Sequence, residues 1–264
     1  MKYSIYQMEI YPGNPNKNRQ KVKEWMQHEM ETNNPDIVVL PEMWTTSYTL
    51  DELENIADSN GEPSKSFLQE LAKGLQVNII GGSIANKVNG VIYNTSYVFN
   101  RSGDLVYTYN KIHLVPMLNE PKYLTGGQHA PEVFELDDIK MGLVICYDLR
   151  FPEITRTLAI EGAEVLHIVA EWPIERINHW KNLQIARAIE NQMYVVSSNN
   201  VGEYDSVRYG GNSMVIDPGG DIVQCGSNDK EETLFVTLDL EKVKNVRENI
   251  PIFKSRVPHL YKSL

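Results

Sequence analysis

The apolar residues of this chain come in short runs. DIVVL (36–40), VNIIGGS (77–83), MGLVIC (141–146), EVLHIVA (164–170) and MYVVSSNN (193–200) each read as a strand. Helical stretches lie between them. Val22, Trp25, Met26 and Met30 recur at helical spacing within 16–31, and PSKSFLQELAKGL (63–75) opens with a proline at a first helical position. Further helices are expected at 151–163, 177–192 and, more briefly, 239–249. Strands alternating with helices define an α/β chain. Hairpins complicate that pattern. Segments 91–100 and 105–112 flank the turn RSGD, and SMVIDPGGDIVQC (213–225) folds back around DPGGD. Hairpins count against one purely parallel, doubly wound sheet. They favour sheets with antiparallel segments, or two packed sheets. Periodicity alone does not decide between these.

With 264 residues, 42% of them hydrophobic, the chain can bury a large core. No linker, repeat or low-complexity segment divides it, so 1–264 is expected to be one domain. The net charge of −10 argues against nucleic acid or an anionic membrane as a partner, because both need clustered Lys and Arg. The start, MKYSIYQMEI, lacks the apolar centre of a signal peptide, and no apolar run approaches the roughly 18 residues of a membrane span. Two cysteines do not make a disulfide framework. A reducing, cytoplasmic setting is therefore expected, without a Cys146–Cys225 bond.

Several chemistries lack their motifs. There is no G-x-x-x-x-G-K-[ST], no G-x-G-x-x-G and no G-x-S-x-G. The six histidines are scattered and the cysteines lack zinc spacing. His113, His167 and His179 read as packed polar residues, and neither a metal nor a cofactor is expected.

Three strand ends remain. Glu42 follows DIVVL, Lys111 lies near the end of the strand 105–112, and Cys146 closes MGLVIC. Sites in α/β sheets gather beyond the carboxyl ends of strands. Acids and lysines after strands are also commonly solvated, and a cysteine there is commonly core. Spacing alone leaves both readings open.

The flanks of these residues resemble a known family, the carbon–nitrogen hydrolases of the nitrilase superfamily. VVLPEMW (38–44) is similar to the segment that bears the family's catalytic Glu, here Glu42. YNKIHL (109–114) resembles its Lys segment, here Lys111, and VICYDLRFPE (144–153) its nucleophile segment, here Cys146. The three come in the family's order. QIARAIENQMYVVSSNNVG (184–202) and GGNSMVIDPGGDIV (210–223) resemble two further blocks, so the similarity spans nearly the whole chain. LPEMWTTSY, MLNEPKYLTGG and EWPIERINHWKNLQIARAIEN are similar to the omega-amidase branch, whose members hydrolyse the terminal amide of 2-oxo acid amides such as 2-oxoglutaramate. At Glu171 the chain departs from the Asn that usually precedes WP in close relatives.

The resemblance implies an α-β-β-α sandwich, with two packed mixed sheets flanked by helices. It also implies a homodimer, and the tail from about 245 to 264 is a candidate for its interface. The implied partners are a small-molecule amide and water. Cys146 would be the nucleophile and Glu42 the general base. Lys111 and the backbone N–H of Tyr147 would form the oxyanion hole, and Glu120, in LNEPKY, would orient Lys111 and help position water. Trp44, Trp172 and Arg176 are candidates for the substrate pocket. Asp148 is expected to fix the turn after Cys146. Arg150 is expected to be structural, paired with Asp148 or Glu153. Cys225 is expected to be a bystander. Other activities of the family remain as alternatives: amidase action on deaminated glutathione, hydrolysis of an N-carbamoyl compound, or nitrilase action. A non-catalytic binding subunit of the same fold is a further one. A redox-sensing cysteine protein would want a resolving cysteine near Cys146, and none lies near it in the sequence.

Overall fold

The computed structural model describes residues 1–261. The tail expectation therefore reaches beyond the described residues at 262–264. Two large mixed sheets face each other. In the first, Ile37–Val39 lies parallel to both Lys2–Gln7 and Asn78–Ile80. Antiparallel strands extend it, and the two-residue strand Asp58–Ser59 pairs Ile84–Val88 in parallel at the far edge. Glu232–Thr237 pairs Lys2–Gln7, and Val91–Phe99 pairs Asn78–Ile80, Ile84–Val88 and Leu105–Asn110. In the second, Ile139–Ile145, Val165–Ala170 and Tyr194–Asn199 are parallel neighbours. Phe134–Leu136 adds at one edge, and Met214–Ile216 with Ile222–Cys225 at the other. The expected hairpins are therefore present, and each sheet combines a parallel centre with antiparallel flanks.

Runs such as IVVL (37–40) lack polar residues because both faces of the strand are covered. Ile37 and Val39 face the second sheet, in one core cluster with residues such as Leu143 and Val169. Val38 and Leu40 point the other way, onto Val22, Trp25 and Met26 of helix Pro15–Thr32 and Leu68, Leu71 and Ala72 of helix Ser64–Leu75. Successive strand residues face opposite layers, so a strand inside a four-layer stack must be apolar on both. On the far side, helices Pro152–Ile160 and Ile177–Asn191 cover the second sheet through Leu158, Trp180 and Ala188. Gly142 permits the close approach there, since a Cβ at that position would meet the Leu158 side chain at 2.8 Å. The architecture is the α-β-β-α sandwich.

Elements the sequence reading did not separate are the strands Ile84–Val88 and Phe134–Leu136 and the small hairpin Val201–Tyr204/Val207–Gly210. The strand bearing Cys146 ends at Ile145, and Cys146 opens a short 3-10 turn, Cys146–Arg150.

Candidate active site

Glu42 and Lys111 enter the site from the ends of strands, and Glu120 from the start of a short helix. Glu42 follows Ile37–Val39 by the Leu40–Pro41 step, and its backbone N–H reaches across the sheets to the Ala170 carbonyl at 3.4 Å. Lys111 follows Leu105–Asn110 directly, with its N–H on the Asn94 carbonyl. Glu120 begins the short helix Glu120–Tyr123. All three side chains are fully buried.

They meet in one hydrogen-bonded cluster. The Lys111 ammonium donates to Glu42 Oε1 at 2.8 Å and to Glu120 Oε1 at 2.7 Å, and Tyr48 Oη lies 3.3 Å away. Tyr48 Oη is also in reach of both carboxylates, though its one proton can serve only one at a time. Asn94 donates to Glu42 Oε1, the Glu171 backbone N–H donates to Glu42 Oε2 at 2.8 Å, and the Val115 N–H donates to Glu120 Oε2 at 2.6 Å. Every oxygen of the two carboxylates is thus engaged. Burial by itself would favour a neutral lysine. Glu120 and Glu42 outweigh it, and the Lys111 pKa stands well above the ordinary value. Burial raises the Glu120 pKa, against the pull of Lys111.

Cys146 sits at the junction of strand and turn with φ +47°, the left-handed region that non-glycine residues seldom occupy. Such strain persists only where the surroundings enforce it. Asp148 is part of that enforcement. Its carboxylate accepts from Ile145 N–H and Tyr109 Oη on one oxygen and from the His113 backbone and ring on the other. The bend leaves Tyr147 as the second residue of the turn, where a backbone N–H has no partner within the turn. Burial, then the charge of Glu42, pushes the Cys146 thiol well above its ordinary pKa, with Lys111 opposing. Cys146 therefore rests as a thiol.

Cys146 lines a cavity of about 20 Å³ with Tyr147, Arg150, Glu171, Trp172 and Arg176. Met117 and Leu118 line both this space and an outer pocket of about 470 Å³ that carries Tyr48 and Tyr209. These two side chains stand between the nucleophile and the wider opening.

Two expectations need correction. Trp44 is fully buried in the layer between the first sheet and its helices, with its indole N–H on the Gly81 carbonyl, so it does not line the cavity. Its neighbour Glu42 turns toward the site, and Trp44 therefore turns away. Arg150 forms no ion pair with Asp148 or Glu153 among the described residues. The acceptor positions of Asp148 are already filled, and Arg150 lies instead over the rings of Trp172, at 4.6 Å, and Tyr147, at 5.5 Å. Its Nε is buried without a partner. Trp172 and Arg176 do line the cavity, tied together by the Trp172 indole N–H on the Arg176 carbonyl. Cys225 is an exposed free thiol on the edge strand Ile222–Cys225.

Sequence reasoning did not single out Tyr48 or Asn94. Asn94 carried a signal, as a buried amide in the apolar alternation of VIYNTSYVFN. Tyr48 carried none beyond its place in LPEMWTTSY.

Comparison with known proteins bears on the family and the fold. The family model described as carbon-nitrogen hydrolase matches residues 2–248. A Staphylococcus aureus protein named for a hydrolase in the agr operon is 44% identical over 99% of this chain and all of its own. A 2-oxoglutaramate amidase of Bacillus subtilis is 40% identical over the same shares. The crystal structure of a Saccharomyces cerevisiae member of branch 10 of the nitrilase superfamily superposes with a TM-score of 0.88, at 29% identity, over 96% of this chain and 94% of that one. With the family match running from the first strand through the last long helix, and with relatives alike over their whole length, the chain belongs to the carbon–nitrogen hydrolases of the nitrilase superfamily and is a hydrolase of carbon–nitrogen bonds other than peptide bonds.

Proposed function

We propose that this chain is an omega-amidase: it releases ammonia from the terminal amide of a small 2-oxo dicarboxylic acid monoamide, such as 2-oxoglutaramate, through a thioester on Cys146. The observation that carries the reading is the cavity wall. It places the nucleophile beside two guanidinium groups, Arg150 and Arg176, of which Arg150 has no carboxylate partner among the described residues. The space as it stands holds about one water, so Met117 and Leu118 would have to move aside; a small substrate with a carboxylate at one end and an amide at the other would then satisfy both ends of the enlarged space.

In this mechanism Glu42 takes the Cys146 proton as sulfur attacks the amide carbon. The carbonyl oxygen becomes an oxyanion, stabilised by Lys111 and the Tyr147 N–H. Lys111 has two of its three N–H bonds on carboxylates, and the third is free to turn from Tyr48 to the oxyanion. Glu42 then protonates the nitrogen, the C–N bond breaks and ammonia leaves. Water gives a proton to Glu42 as it adds to the thioester, the C–S bond breaks and the thiol is restored. Glu120 holds Lys111 in place throughout. The substrate list is thus one amide and water.

We further read the chain as one domain that forms a homodimer in the cytoplasm. Supporting this, Ile250, Val257, Leu260 and Tyr261 leave an exposed apolar tail for an interface, and no described helix is long and apolar enough to cross a membrane.

The test is ammonia release from a panel of amides with wild type and Cys146→Ala. Turnover of 2-oxoglutaramate, with activity lost in the variant, is expected. Turnover of no panel member, or full activity in Cys146→Ala, rejects the reading. Intact mass of the protein with a slow substrate should show an acyl adduct on Cys146 and none on Cys225.

A further inference from the structure

Glu171 is fully buried, lines the cavity with Cys146, and has a lopsided set of hydrogen bonds. Its Oε1 accepts from Ser47 Oγ at 2.5 Å and from Asn200 Nδ2 at 2.8 Å. Its Oε2 is buried and has no partner in the protein. A buried polar atom without a partner is rare and costly, and it points to a group supplied from outside.

The charge of the cluster says what that group must be. Lys111 already lies between two carboxylates, Glu42 and Glu120. The backbone of Glu171 is bonded to Glu42, so an ionised Glu171 would be a third buried carboxylate beside one ammonium; Arg150 and Arg176 line the same cavity, but neither forms an ion pair with Glu171 among the described residues. Burial, with the charge of Glu42 added, raises the Glu171 pKa well above the ordinary carboxyl range. Ser47 and Asn200 both donate to Oε1, which leaves Oε2 as the oxygen that carries the proton. A carboxylic acid O–H is a donor, and it lacks an acceptor here.

We propose that Glu171 is a substrate-binding residue which, as a neutral acid, donates a hydrogen bond from Oε2 to the 2-oxo oxygen of the substrate. The inference rests on the amidase reading above and names the chemistry it selects. Glu171 stands in the chain immediately before Trp172, the ring under Arg150, and it touches the base Glu42 through its backbone. An acceptor between the amide carbon and the carboxylate would meet it there. A donor at that point favours a carbonyl over a methylene, and it disfavours the ammonium of an amino acid amide such as glutamine.

The experiment compares kcat/KM for 2-oxoglutaramate, glutaramate (which lacks the 2-oxo group) and glutamine in wild type, Glu171→Gln and Glu171→Met. Wild type should prefer 2-oxoglutaramate over glutaramate by about 10-fold or more. Glu171→Gln offers an amide N–H at the same place and should keep that preference. Glu171→Met should bring it to within about 3-fold, chiefly through KM, since a single hydrogen bond is at stake. A merely structural Glu171 would slow both amides alike, so an unchanged preference in Glu171→Met overturns the inference. Preference for glutamine in wild type, lost in Glu171→Gln, would show an ionised carboxylate and also overturn it. Turnover of none of the three overturns the amidase reading itself and this inference with it.

A second measurement is independent of whether Glu171→Met folds. The infrared spectrum of wild type minus Glu171→Gln at neutral pH should contain a protonated-carboxyl C=O band. In Cys146→Ala, 2-oxoglutaramate should shift that band and glutaramate should not. Absence of the band, or an equal shift with both amides, rejects the proposal.

Discussion

The Glu42–Lys111–Glu120 cluster on one side and the wall of the Cys146 cavity on the other are built on opposite principles. On one side, the four carboxylate oxygens of Glu42 and Glu120 all accept hydrogen bonds, and Lys111 serves both groups. On the other, Arg150 Nε and Glu171 Oε2 are buried with no partner. The first side is complete without substrate. The second is completed only by one. Pre-formed charge positions the reacting atoms at no cost during the reaction, whereas unsatisfied groups make an empty or wrongly filled site unfavourable. On the amidase reading proposed above, catalytic power and selectivity would be held by different residues, and the difference can be tested by substitution.

The largest effect should come from the complete side. Lys111→Met leaves Glu42 and Glu120 buried with no shared cation, and kcat should fall by at least about 10² from the lost oxyanion charge alone. Stability should fall too, by about 3–5 kcal/mol at pH 7, as happens when one partner of a buried ion pair is removed. Adding Glu120→Gln should recover part of that stability and none of the activity. Denaturant melts and steady-state kinetics on the same preparations decide the matter. If the double variant is as unstable as the single one, the cluster is not held by charge balance.

A smaller and differently shaped effect is expected on the incomplete side. Arg150→Met and Arg176→Met should each raise KM for an anionic amide by about 10-fold, with kcat within about 3-fold of wild type, since a charge-assisted hydrogen bond is worth about 1.5–3 kcal/mol and the exposed side of the pocket is screened. KM for an uncharged amide of similar length should not move. Equal losses on both amides would mean that the arginines shape the pocket through their stacking on Trp172 and Tyr147, and the contrast between the two sides would collapse.

This division also explains what the sequence could reveal. The α/β class and its antiparallel segments were legible because both faces of the central strands are buried, which makes IVVL (37–40) and MGLVIC apolar throughout, and because RSGD and DPGGD announce hairpins; the sandwich itself was implied by the family resemblance. Glu42, Lys111 and Cys146 were legible through their flanks, which must shape three particular strand ends. The selective side left weaker traces. Arg150 has Asp148 and Glu153 as near neighbours in sequence, and nothing local reveals that Asp148 is already filled by Tyr109, His113 and Ile145. Trp44 and Trp172 look alike in sequence as large rings beside functional residues. Only the direction of the chain at Glu42 sends one into the core and the other to the cavity. Ser47, Asn200 and Glu171 come from three distant segments, and their convergence is a property of the folded chain alone.

Complete hydrogen bonding far from the site should show a milder, pH-dependent signature. His167 lies between the sheets, fully buried, with Nδ1 3.2 Å from the Gly142 carbonyl and Nε2 3.2 Å from Tyr3 Oη. Nδ1 therefore donates and Nε2 accepts, which is the neutral ring. Burial lowers its pKa from 6.5 to about 4, only partly opposed by the Gly142 carbonyl. Between these values the unfolded chain binds the proton and the folded one does not, so stability falls as the pH drops from about 6.5 toward about 4. From pH 7 to pH 5 the loss from this one group should be about 2 kcal/mol. Urea midpoints at the two pH values, in wild type and His167→Gln, would isolate it. An equal acid loss in both proteins would assign the effect to other groups.

The smallest effect separates the two cysteines. Cys225 sits on an exposed edge strand, and its sulfur makes only weak contacts, to Asn212 Oδ1 at 3.7 Å and the Gly226 carbonyl at 3.4 Å. Cys225→Ser should change stability by less than about 0.5 kcal/mol, as surface substitutions commonly do, and kcat/KM by less than about 2-fold. The same exposure makes Cys225 the faster target for a bulky neutral alkylating reagent, because Cys146 is 4% exposed behind Met117 and Leu118. One adduct at Cys225 should therefore precede any loss of activity, and a second, at Cys146, should abolish it. Bound substrate should slow only the second reaction, by occupying the wall where Arg150 Nε and Glu171 Oε2 lack partners. Were substrate to protect both thiols alike, its binding would act on the whole chain and not on that wall, and the cluster and the wall could no longer be assigned separate tasks.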